Sequence, residues 1–152
     1  MSRLKKIVND KLNYLVPFLF CFSCAIQSAP ETRLYGDTGQ NPQFLGCFGE
    51  HCGPQHPDSI CNLKGLYGSH TSNLSIWNTY SIYGNKYRTT SLWNKRSIGL
   101  IMTDSRRSFL GRLEVMRSTP LNVISAVLDR HYSDSDKKLV PTQQKFCNFL
   151  EN

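Results

Sequence analysis

Cysteine and histidine side chains are crowded between residues 47 and 61 of this 152-residue chain. Thiolate and imidazole groups are ligands that zinc prefers, and a thiol activated by an imidazole is a common catalytic nucleophile. Paired cysteines can instead form disulfides. The sequence therefore offers three chemistries for one cluster, and the surrounding segments must decide between them. The cluster consists of Cys47, His51, Cys52, His56 and Cys61.

The first 25 residues have the pattern of a secretory signal. Basic residues precede an apolar run from Leu12 to Phe22, and Ser23 and Ala25 form a small-x-small cleavage site. The run of about eleven residues is well short of the roughly 20 that span a bilayer. We expect residues 1–25 to be removed on export to the periplasm or beyond. Cleavage after Ala29, a lipid on Cys24 and an uncleaved membrane anchor are the alternatives.

Four cysteines remain after such a cleavage. An even number of cysteines in an exported chain predicts two disulfides, and the sequence leaves all three pairings open. Zinc binding and thiol chemistry through His51, Cys52 or His56 are therefore secondary interpretations, and we predict no metal or other cofactor. The predicted disulfide cysteines are Cys47, Cys52, Cys61 and Cys147.

The charge of the chain lies partly in its signal segment. Four of 18 basic residues and one of 11 acidic residues precede residue 26, so the net charge falls from +7 to +4. So small an excess, together with export, argues against a nucleic-acid partner.

Aromatic residues alternate with basic residues over the middle of the chain. Exposed tyrosines beside lysine and arginine can stack on sugar rings and bind their polar groups, whereas Trp77 and Trp93 are expected in the core. Cell-wall glycan or another envelope protein is the predicted partner. The tyrosines of the predicted contact surface are Tyr67, Tyr80, Tyr83 and Tyr87.

A tetrapeptide repeated every sixteen residues must position these side chains. Ser59–Asn62, Ser75–Asn78 and Ser91–Asn94 are in register, and Tyr67–Gly68 recurs as Tyr83–Gly84. Sixteen residues are too few to enclose a core, so each unit must pack against its neighbours. The spacing leaves open whether each unit is one coil of a solenoid or a turn followed by a short strand or a short helix.

The flanking segments predict an α+β domain over residues 26–152, with no transmembrane helix. Polar turns between apolar runs predict β-hairpins over residues 34–48 and 98–116, which bracket three repeats over residues 51–94. C-terminal helices over residues 119–150 are expected to pack on them.

Local signals refine this prediction. Alternation from Phe109 onward predicts a half-buried strand with Phe109 on the buried face. Thr119 is the predicted N-cap of a helix with Pro120 at its first position and its end near Tyr132. Pro141 is expected to precede a short final helix.

The repeat block resembles a group of small exported bacterial proteins with tandem Y-G-S-x-Y and S-I-W-N motifs. The resemblance rests on Tyr67–Ser69, Ser75–Asn78 and Tyr83–Asn94, with Phe44–Cys47 and Asp58–Asn62 similar to that group's opening. It spans about residues 34–116, and His70 departs from the first Y-G-S-x-Y. The resemblance implies bacterial export and a single domain, and it brings no activity or site residue.

These patterns favour a non-enzymatic binding or accessory module of the bacterial envelope. The chain has no nucleophile-elbow, phosphate-loop or zinc-protease motif. A small hydrolase or thiol-dependent enzyme is the first alternative, and a structural envelope component is the second.

Overall fold

The computed structural model describes residues 31–115 and 122–152, so the predicted signal and the predicted cap Thr119–Pro120 lie outside the described residues. Within the described part, no helix combines the length and apolarity that a bilayer crossing requires. The elements are β1 (Thr32–Gly36), β2 (Gln43–Phe48), β3 (Leu100–Thr103), β4 (Phe109–Leu113), α1 (Val123–Ser133) and α2 (Leu139–Glu151).

The strands form one antiparallel sheet in the order β2-β1-β3-β4. Each hairpin pairs strands that are adjacent in sequence, and β1 pairs with β3 to join the hairpins. In β1, Leu34 is fully buried while Arg33 and Tyr35 are half-buried, because alternate strand residues face opposite sides of the sheet. The sheet and the two C-terminal helices confirm the α+β class.

The prediction for Phe109 is wrong, since its side chain is 66 % exposed while Leu113 is fully buried. The register explains the difference. Met102 pairs with Gly111 but Thr103 pairs with Phe109, so β4 carries an extra residue at this point. A bulge of this kind shifts the alternation by one position and turns the side chains before it away from the buried face.

Residues 49–99 connect β2 to β3 through consecutive tight turns, and we call this segment the turn block. In most of these turns an amide donates to the carbonyl three or four residues earlier, and the residue that ends one turn begins the next. The sequence left open a solenoid coil or a turn followed by a short strand or helix, and the structure shows consecutive turns. Ser75, Asn78, Ser81 and Asn85 are successive junctions, with N–O distances of 3.0 to 3.4 Å.

Side chains at the junctions hold the turns in place. Ser75 Oγ accepts the amide of the residue two positions on at 3.1 Å, and Asn78 Oδ1 accepts the equivalent amide at 2.9 Å. Short polar side chains of Ser and Asn favour this bond. The same bond is made sixteen residues before and after by Ser59, Asn62, Ser91 and Asn94.

Both tryptophans of the turn block are core residues, as predicted, with 1 % of each side chain exposed. The indole N–H of Trp77 donates to the carbonyl of Ile60 at 2.8 Å, and that of Trp93 donates to the carbonyl of Ile76. Their ring centroids are 5.5 Å apart. Each indole thus fills the core and satisfies a buried carbonyl at the same time.

The helices cover the open side of this tryptophan stack. The ring of Tyr132 from α1 lies 4.7 Å from Trp93, and that of Phe146 from α2 lies 6.3 Å from Trp77. The buried amide of Gln143 donates to two carbonyls of the turn block at 2.8 and 2.9 Å. The helical segment is therefore an integral part of the core.

The ends of the helices differ in part from the prediction. The N-cap of α1 is Asn122, whose side chain accepts the amide of Ser125 at 2.8 Å. Pro141 lies inside the first turn of α2, so the prediction that it precedes the helix is wrong. A proline fits there because a first-turn amide has no carbonyl partner within the helix.

Candidate functional site

The four predicted contact tyrosines fall into two pairs. Tyr80 and Tyr87 are 91 % and 80 % exposed. Tyr83 is buried, and Tyr67 is half-buried with its ring 5.0 Å from that of Phe44. Burial raises the pKa of both Tyr67 and Tyr83. Only Tyr80 and Tyr87 therefore offer an aromatic face to a ligand.

Tyr87 borders a groove of about 660 Å³ between the last turns of the turn block and the loop that joins α1 to α2. Tyr80 is not among the lining residues. The turn block contributes Lys86, Tyr87, Trp93, Asn94, Lys95 and Arg96, and the helical region contributes Tyr132, Asp136 and Lys137.

The groove is positively charged. Its described lining includes four cationic side chains, two of them the neighbours Lys95 and Arg96, against the single carboxylate of Asp136. Lys86 Nζ lies 5.1 Å from the ring centroid of Tyr87, within cation–π range. An aromatic face beside N–H donors suits a ligand that carries both a ring and oxygen acceptors.

Two packed aromatic rings form the floor of the groove. Trp93 and Tyr132 are 1 % and 3 % exposed, so they support the site and offer a ligand little surface. Burial, followed by the charge of Asp129, raises the pKa of Tyr132, so its phenol stays neutral. The floor is rigid because both rings belong to the core.

The helical wall of the groove has an unusual backbone. Asp136 and Lys137 have φ of 52° and 60°, the left-handed region where a side chain costs about 1 kcal/mol or more per residue. The amide of Lys137 donates to the carbonyl of Tyr132 at 2.9 Å, which ends α1. Glycine or asparagine would suit these positions better, so an Asp-Lys pair here is consistent with a role for the side chains.

The three cysteines of the cluster form two disulfides, Cys47–Cys52 and, with the C-terminal helix, Cys61–Cys147. His56 Nδ1 lies 4.0 and 3.8 Å from the two sulfurs of the first disulfide. These three residues form the described group whose ligand atoms lie within 4.8 Å of one another, but zinc would require the sulfurs as thiolates. His51 is exposed and is not part of that group.

Comparison of the chain with protein families, curated proteins and solved structures finds no match.

Sequence reasoning missed the helical half of the groove. Tyr132, Asp136 and Lys137 lie about forty residues beyond the aromatic segment, in what the sequence shows as a helix end and a polar linker. No local pattern marks them, because they reach the groove only when α1 packs against Trp93.

Proposed function

We propose that this protein is an exported, non-enzymatic binding module of the bacterial envelope, with cell-wall glycan as its ligand. The observation that carries the proposal is the exposed ring of Tyr87 at the rim of a cationic groove. The two disulfides support export, because such bonds persist in oxidising compartments.

The groove has the size and chemistry of a saccharide site. Its volume of about 660 Å³ lies within the usual range of ligand sites, about 300–1,000 Å³. The face of Tyr87 can pack on the C–H face of a sugar ring, while Lys95 and Arg96 donate to ring substituents. The buried floor holds this arrangement before a ligand arrives, which lowers the entropic cost of binding.

We infer that the turn block consists of three sixteen-residue repeats that carry this surface. Equivalent hydrogen bonds support the inference: Asn62 Nδ2 and Asn78 Nδ2 each donate to the carbonyl six residues earlier, at 3.1 and 3.0 Å. The interior positions of the units fill the core, and this leaves turn positions such as that of Tyr87 free to vary.

A titration of the purified protein with soluble peptidoglycan fragments tests the glycan proposal. Tyr87→Ala is expected to weaken binding about tenfold, equivalent to about 1.4 kcal/mol. Tyr80→Ala is the matched control, because Tyr80 is even more exposed and lies outside the groove lining. No binding by the wild type, or equal losses in both variants, would refute this site.

A further inference from the structure

The disulfide Cys47–Cys52 joins a fixed residue to a surface turn. Cys47 lies within β2's buried stretch, and its backbone is held by the carbonyl of Asp58 at 2.9 Å and the amide of Ile60 at 3.0 Å. Cys52 lies in a tight turn closed by a bond to Gly49, within a segment that is mostly exposed. Both cysteines are held by hydrogen bonds, because the carbonyl of Cys52 accepts the hydroxyl of the buried Ser59 at 3.1 Å, but the turn that carries Cys52 lies in the more exposed segment.

His56 does more than its turn requires. Its Nδ1 accepts the amide of Asp58 at 3.1 Å. Sixteen residues on, Ser72 occupies the equivalent junction, and its hydroxyl accepts the equivalent amide, that of Leu74, at 3.2 Å. A short oxygen acceptor therefore satisfies the backbone at this position. The imidazole adds one property that serine lacks, which is its contact with both sulfurs.

The geometry points to a second site in this molecule, independent of the glycan groove. We propose that Cys47–Cys52 is a reversible thiol–disulfide exchange site for an external dithiol, with His56 as the proton carrier. Because Nδ1 accepts the amide of Asp58, the ring proton sits on Nε2 and the Nδ1 lone pair is occupied while that hydrogen bond lasts. When the bond to Asp58 opens, the neutral ring can take a proton at Nδ1 from a thiol that reaches the disulfide.

The reaction needs no reagent other than the external dithiol. His56 takes the proton of one external thiol, and the thiolate attacks a sulfur of the Cys47–Cys52 bond. That bond breaks, its electron pair leaves on the other sulfur, and the imidazolium, 3.8 to 4.0 Å away, returns the proton. The second external thiol then breaks the mixed disulfide. Two electrons and two protons pass from the dithiol, which leaves as a disulfide.

The second disulfide provides an internal comparison. Cys61 is half-buried, whereas Cys47 and Cys52 are 3 % and 2 % exposed, so access alone would favour reduction of Cys61–Cys147 first. Among the described residues, no histidine forms a group with Cys61 and Cys147 in which all ligand atoms lie within 4.8 Å of one another. The proposal predicts the opposite order, with Cys47–Cys52 reduced first.

The test follows reduction of the folded, full-length exported protein by dithiothreitol, with alkylation and peptide mass mapping to count each disulfide separately. We expect Cys47–Cys52 to be reduced at least about tenfold faster than Cys61–Cys147. His56→Ser should slow its reduction at least about tenfold, which is less than the roughly 10²–10⁴-fold that a positioned acid–base group typically contributes. Added imidazole should restore part of the lost rate.

Two controls separate chemistry from folding. His51→Asn removes the neighbouring imidazole and should leave both rates unchanged. His56→Asn, which can also accept the Asp58 amide, should reproduce the effect of His56→Ser if the serine variant unfolds more easily. Prior reduction of Cys61–Cys147, or wild-type rates in both His56 variants, would overturn the proposal.

Discussion

The sheet and the turn block both contain main-chain hydrogen bonds, but the turn block depends on side-chain oxygens as well. In the sheet, main-chain groups of neighbouring strands pair with each other, and most side chains are free to serve packing or the surface. In the turn block, side-chain oxygens of Ser59, Asn62, Ser75 and Asn78 accept backbone amides at the junctions. The comparison shows that regular structure can rest on side-chain identity as much as on backbone pairing.

The two regions should differ in how well they tolerate substitutions. A strand keeps its ladder when an outward side chain changes, whereas a junction loses the acceptor of a backbone amide, and at Ser75 and Ser91 that amide bond is buried. The turn block should therefore be more sensitive to small polar and glycine changes than the sheet.

The largest expected loss of stability is at Gly84. A Cβ there would overlap the carbonyl oxygen of Asn78, and Gly68 stands in the same relation to Asn62. Because backbone must move, Gly84→Ala should lower the free energy of unfolding by about 3 kcal/mol. Gly53→Ala is the control, since nothing lies within 4 Å of its Cβ, and should change stability by about 0.5 kcal/mol or less. Urea denaturation measures both, and equal effects would contradict close packing in the block.

A smaller loss of stability is expected when Asn78 is replaced. This side chain is 3 % exposed, accepts the amide of Tyr80 and donates to the carbonyl of Ser72. Asn78→Ala leaves the part-buried amide of Tyr80 without its acceptor, while the carbonyl of Ser72 keeps the amide of Ser75, and should cost about 1–2 kcal/mol. In the sheet, Arg33→Ala removes only a partly exposed ion pair with Glu31 and should cost about 0–1 kcal/mol. A larger loss for Arg33 than for Asn78 in chemical denaturation would reverse the comparison.

The smallest effect concerns acid sensitivity of the hairpin ends. The hydrogen bond from Arg112, at 2.8 Å, and then the amide of Gly39 lower the pKa of Asp37 below its ordinary value of 3.8. This contribution to stability is present above pH 3.8 and is lost as the pH falls through the native pKa. Melting temperatures between pH 5 and 2 should therefore fall less for Asp37→Asn than for wild type. Parallel pH curves for the two proteins would exclude the contribution.

Several features of this fold follow from local sequence. The hairpins lie where apolar runs flank polar turns, and the four predicted cysteines form two bonds. Both tryptophans of the turn block are buried, as predicted. These features depend on residue type and near neighbours, which a sequence displays directly.

Other features could not be predicted from local sequence. The bulge that exposes Phe109 depends on how β4 pairs with β3, and the pairing of cysteines depends on where α2 brings Cys147. Tyr80 and Tyr83 are three residues apart, yet one is exposed and the other buried. Because the chain changes direction every three or four residues in the turn block, no fixed period assigns a side chain to a face.

The sequence by itself determined the sixteen-residue spacing of Ser and Asn, the α+β class and the set of disulfide cysteines. Only the tertiary structure decided which tyrosines face outward, which cysteines pair, and that Lys137 joins Tyr87 in one groove. The physical reason is how far apart in the sequence the interacting residues lie. Capping bonds join residues two positions apart, whereas the groove and the Cys61–Cys147 bond join segments brought together only when the helices close the core.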